Sequence, residues 1–202
     1  MLKRCFGPVA LCLLAGSVSV GPMFVGSMFA GPVLTGESLC GRRDAAAILA
    51  EIAGEWDSAL SVQVEAETIS TLREIEGDWA LIEADGSFLN AFLDELIGVP
   101  VQLAPTETGY DVDQVDDLLA TTEAAWIADA LSETRCGPED LPQLRAGFLA
   151  GAGLSGDVTL IPYFTDRVLM LFRIDYPGDW GHSEVIGTGY LTPATGTGTS
   201  AE

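Results

Sequence analysis

Groups able to do chemistry gather most densely in the segment Asp179-Trp180-Gly181-His182-Ser183-Glu184, which places two carboxylates, an aromatic ring and an imidazole within six residues. His182 is the only histidine of the chain, so a nucleophile activated in the Ser-His-Asp manner would have to use it as general base. Asp179, His182 and Glu184 are therefore the candidate catalytic residues, on a connection between strands where functional groups tend to concentrate. The competing reading is a solvent-facing loop with Trp180 folded over the core, which is the commoner role for a lone histidine.

Other constellations fail on spacing. Gly153-Leu154-Ser155-Gly156-Asp157 resembles a nucleophile elbow, but GxSxG needs a residue between the serine and the second glycine. It also lies between an expected helix and an expected strand, the reverse of the order that exposes such a serine, so a turn is the better reading. Asp111, Asp113, Asp116 and Asp117 offer the oxygen ligands calcium prefers, yet Val115 stands where an EF-hand loop needs its third acidic ligand, and the loop glycine is missing. A helix N-terminus attracts acidic residues through its macrodipole without any ion. No metal and no cofactor is expected, since neither CxxC nor HxxxH spacing occurs. Paired carboxylates of the glycosidase kind remain an enzymatic route, but among 30 acidic residues no pair stands out in sequence.

The cysteines point to an oxidising compartment. Cys5 and Cys12 fall in an apolar leader, leaving Cys40 and Cys136 as an even pair. One disulfide between these two is the expectation, with two free buried thiols as the alternative. Cys12 and Cys40 each follow a leucine, which disfavours lipid attachment.

Charge divides the chain sharply. No charged residue lies between Arg4 and Glu37, and every acidic residue lies from Glu37 onward. Setting aside Lys3 and Arg4, seven arginines face 30 acidic residues, a formal charge of −23. Such a field repels nucleic acid and anionic lipid and attracts cations or basic partners, although solubility alone also accounts for it.

The leader joins a positive start, the apolar run Phe6 to Ala15 and a small-residue exit at Ser17-Val18-Ser19, the parts of a secretory signal. An uncleaved anchor is the rival, because Pro8 to Ala30 is long enough to span a bilayer, although Gly21-Pro22 interrupts it. Either way the protein is expected to be exported, periplasmic or secreted, with residues 1–36 as signal or anchor. Membrane contact, if any, is through that segment.

The elements that must position these groups occupy residues 37–192, read as one acidic domain, before a Gly/Thr-rich tail at 193–202 expected to be disordered. Asp44 caps a helix through Ile48, Leu49, Ile52 and Trp56. Ser61 to Ile69 alternates as a half-buried strand, and Trp79 to Ala84 reads as another, ended by Asp85-Gly86. Ser87 caps a helix through Phe88, Phe92 and Ile97 that Gly98 stops. Val99 to Ala104 is a short strand that Pro100 confines to an edge or a strand start. A long helix runs from Asp111 to about Arg135, and a further helix from near Pro142 through Leu144, Phe148 and Leu149 to Gly151. Val158 to Phe164, Arg167 to Ile174 and Glu184 to Leu191 are three strands, the last two joined by the loop Asp175 to Ser183. The expected fold is therefore α+β: a mostly antiparallel sheet with helices packed on one face and a C-terminal three-stranded meander. The expected function is a non-catalytic binding module for a protein or small-molecule partner, with a carboxylate hydrolase as the alternative.

Overall fold

The computed structural model describes residues 36–66, 69–105, 140–178 and 181–195. The long helix expected from Asp111 lies outside them.

Among the described residues the chain forms nine strands and two short α-helices. The strands are β1 (Gly54–Ala66), β2 (Ile69–Ile82), β3 (Ser87–Asn90), β4 (Val101–Gln102), β5 (Ala104–Pro105), β6 (Leu144–Leu149), β7 (Ser155–Phe164), β8 (Arg167–Gly178) and β9 (Gly181–Pro193). The helices are α1 (Ala45–Ile52) and α2 (Ala91–Ile97). All strands join one antiparallel sheet in the order β4-β3-β2-β1-β9-β8-β7-β6-β5. Its two outermost strands, β4 and β5, are consecutive in the chain and separated only by Leu103. Both edges of the sheet therefore meet at one bend, and the sheet curls into a nearly closed barrel. The fold is mostly antiparallel β, and this corrects the α+β expectation of helices layered on one face. The C-terminal meander β7-β8-β9 is present as expected.

Antiparallel partners share a face, so the register defines what lies inside. The inner face carries Trp56, Ser58, Leu60 and Val62 of β1, Ala80 and Ile82 of β2, Phe88 of β3, Leu144 and Ala146 of β6, Val158 and Leu160 of β7, and Val168, Met170, Phe172 and Ile174 of β8. All are buried. Small barrels close well only when side chains fill them, and two glycines make room here. A Cβ at Gly187 would collide with the ring of Phe172, and one at Gly189 with Leu60 and the Ala59 carbonyl.

The helices complete this core. Asp44 caps α1 as expected, its Oδ1 accepting from the Ala46 and Ala47 amides at 3.1 and 3.2 Å. Ile48, Leu49 and Ile52 of α1 join the core. The helix stops there, and Trp56, expected on it, enters β1 and donates from Nε1 to the Ile52 carbonyl at 3.0 Å. In α2, Phe92 packs against Phe172 with ring centroids 5.6 Å apart. Gly98 ends α2 in the left-handed region, as expected, and its amide reaches the Asp94 carbonyl.

Two further expectations are corrected. The helix expected from Ser87 begins later, because Asp85-Gly86 turns β2 into a hairpin with β3 and Phe88 pairs with Ile82. Asn90, not Ser87, caps α2. The helix expected near Pro142 is the strand β6, in which Leu144 and Ala146 point inward while Arg145 points outward. Leu144, Phe148 and Leu149 fit a helical period as well as a strand; pairing with β7 decides. Pro193, expected in the tail, still belongs to β9, and the Ala194 amide donates to the Glu55 carbonyl at 3.1 Å.

Candidate functional site

The structure distributes the sequence candidates unevenly. The expected loop Asp175 to Ser183 is mostly ladder, because pairing continues through Tyr176↔Ser183 and Pro177↔His182 to Gly178↔Gly181. Asp179 and Trp180 make the connection and lie outside the described residues, as does the side chain of His182. Glu184 is described. It sits on the outer face of β9, flanked by Asp175 on β8 and Glu65 on β1. Its Oε1 lies 2.8 Å from Arg173 Nε. That nitrogen makes no hydrogen bond, so the contact is a charge pair without hydrogen-bond alignment.

Ser155 opens β7 after a 3-10 turn at Gly151–Gly153 and pairs with Leu149 and Asp175. It is a strand residue and not an exposed elbow. Asp111, Asp113, Asp116, Asp117 and Cys136 lie outside the described residues. Cys40 is disulfide-bonded, and its partner lies outside them too. It follows the fully buried Leu39, whose amide donates to the Tyr163 carbonyl at 3.1 Å, so the bridge is anchored beside the barrel wall. Among the described residues, no group of His, Cys, Asp and Glu is arranged to hold a metal ion.

A different surface is better formed, and sequence reasoning missed it. Ser58 pairs with Asp78 and Leu60 with Ile75, so Ala59 alone faces both Glu76 and Gly77. This is a β-bulge, and Gly77 takes the positive φ of 72°. Bulges bend a strand and re-aim its side chains. Here the bend opens a groove on the outer face, floored by Ala59. One part, about 320 Å³, is lined by Asp57, Ala59, Glu76, Gly77, Tyr190 and Thr192. A contiguous part of about 280 Å³ shares Ala59, Glu76 and Tyr190 and adds Glu74. Trp79 stands directly across from Asp57, on the same face.

The groove sets the Tyr190 ring among carboxylates, and Trp79 stands beside it on the same face. Tyr190 is 39% and Trp79 50% exposed, and Leu72, further along the same face, is 52% exposed. Asp57 Oδ2 accepts from the Thr195 amide and hydroxyl at 3.1 and 3.3 Å. Among the described residues no ion pair involves Asp57, Glu74 or Glu76, whereas Arg42, Arg43, Arg145, Arg167 and Arg173 each have an acidic partner. In sequence Trp79 marks only the start of an expected strand; the bulge that shapes this surface depends on register with β1.

Compared with known proteins, the chain matches no family model, no curated protein and no solved structure. Among the described residues no helix is long and apolar enough to cross a membrane.

Proposed function

We propose that this chain is an exported, acidic, non-catalytic binding module of the cell envelope or the secreted fraction. The observation that carries the reading is the contrast between a barrel interior filled with apolar side chains and an outer face that leaves Trp79, Tyr190 and Leu72 open to solvent. A filled barrel offers little room for a substrate inside, while exposed rings on a rigid sheet suit recognition of a partner. Export rests on the apolar leader with its positive start and on the cysteine pair; the reading includes a bridge between Cys40 and Cys136.

The second reading is a carboxylate hydrolase. It draws on the row Asp175, Glu184 and Glu65 across three adjacent strands, next to the backbone pair of Pro177 and His182. Neighbouring strands bring carboxylates to about the separation that retaining glycosidases use. Against it, Glu184 is already engaged by Arg173.

Replacing the gene with one encoding Asp179→Asn, His182→Ala and Glu184→Gln together separates the two readings. The binding-module reading expects the wild-type cell phenotype to persist at normal protein levels. Loss of the phenotype with a folded, normally abundant protein favours the hydrolase.

A further inference from the structure

We infer that the groove at the β1–β2 bulge docks an extended protein segment bearing arginine or lysine side chains. The inference rests on the binding-module reading and specifies its partner and its surface.

The outer face of the sheet is treated in two ways. On β7, β8 and the Ile186 stretch of β9 it is closed, with Ile161, Leu169, Leu171 and Ile186 all buried. Around the groove it is open: Tyr190 of β9 lines it half-exposed, and Trp79 of β2 stands half-exposed beside Asp57. An exposed ring set in a concavity, as Tyr190 is, marks a contact surface more strongly than scattered apolar residues do.

Charge decides the occupant. Asp57, Glu74 and Glu76 line the groove with oxygens, and no arginine among the described residues is paired with them. Carboxylates beside an aromatic face form the environment a guanidinium or ammonium group prefers, since the ring quadrupole and the carboxylate attract the same cation. A second copy of this chain is a poor occupant, because both surfaces belong to a molecule of net charge −21. The chain's own end is no better. Thr195 is held at Asp57, but the residues after it carry one charge, the acidic Glu202. Cationic side chains of an extended segment laid in the groove would meet the Tyr190 ring together with Asp57, Glu74 and Glu76.

The test uses the chain as recovered from cells and, as probe, a short peptide with arginine at alternate positions. A peptide with glutamate at those positions is the control. Amide resonances of Ala59, Glu76, Gly77 and Tyr190 are expected to shift with the arginine peptide and stay still with the glutamate one. Glu74→Gln with Glu76→Gln is expected to weaken binding about tenfold, and Trp79→Ala about fivefold. Affinity in all cases should fall as salt rises. Glu83→Gln with Glu95→Gln lowers net charge equally away from the groove and should change affinity less than twofold.

Equal losses in the two double variants would reduce the effect to non-specific attraction and overturn the inference. So would peptide shifts confined to another surface. Groove shifts that appear on concentrating the protein without peptide would identify a second copy as occupant. Tighter peptide binding after truncation at Thr195 would identify the tail, and either result overturns the proposal. None of these outcomes touches the gene-replacement test, so failure of the groove and failure of the binding-module reading remain distinguishable.

Discussion

The strands β8 and β2 sit in the same sheet and have nearly the same length, yet they are built on opposite principles. In β8 the run Val168-Leu169-Met170-Leu171-Phe172 is buried at every position, with exposures of 0 to 1%. In β2 the stretch Ser70 to Gly77 is exposed except for the half-buried Ile75. A strand covered on both faces needs no alternation and reads as a continuous apolar run, whereas a strand beside solvent is held by its ladder and by few side chains. The first kind of strand supplies stability. The second is free to bulge, and in doing so it shapes the groove beside Tyr190.

Substitutions can break that comparison or sharpen it. Phe172→Ala removes the ring that meets Phe92 and fills the space over Gly187, and it should cost about 3–5 kcal/mol in denaturant unfolding. Leu171→Ala, on the outer face of the same strand, should cost about 2–4 kcal/mol. If it costs no more than Leu72→Ala, the outer face of β8 is not packed in solution and the contrast fails. Cys40→Ser opens the disulfide, and a loss of about 2–4 kcal/mol is expected. The intact mass of wild-type protein should be lower by two hydrogens than that of the same protein reduced.

Gly187→Ala should cost about 1–3 kcal/mol by overpacking. Pairing it with Phe172→Leu should recover part of that loss, and strictly additive effects would contradict the packing. At the small end, Trp79→Ala and Leu72→Ala should each change stability by less than about 0.5 kcal/mol. A larger loss at Trp79 would make it a core residue and close the face that distinguishes β2.

The sequence spoke clearly where one physical term dominated. The apolar run of β8, the Asp44 cap and the Gly98 stop were all legible, because burial on two faces, a side-chain acceptor and a left-handed backbone each leave a residue-level mark. It spoke ambiguously where two periods coincide, as in Leu144, Phe148 and Leu149. The first half of β2 was silent, since its side chains are exposed and its strand character comes from β1. The groove was invisible for a related reason: Asp57, Glu74, Glu76 and Tyr190 come from three strands, and only their register brings them together. Of the expected catalytic set, Glu184 falls on a strand face with Arg173, while Asp179 and the His182 side chain lie outside the described residues.

Leu103 deserves a final consequence. A sheet with free borders offers a row of unsatisfied amides and carbonyls to any passing extended chain, the usual start of strand-by-strand aggregation. Here the end strands of the sheet are two-residue strands on either side of Leu103, whose own amide donates to the Gly86 carbonyl at 2.8 Å, while among the described residues Ile69–Trp79 of β2 pair only with β1. The template is thereby withdrawn at this bend, and what is left of it lies along β2. Lengthening this bend by a few flexible residues would free two more edges and should show itself first as self-association.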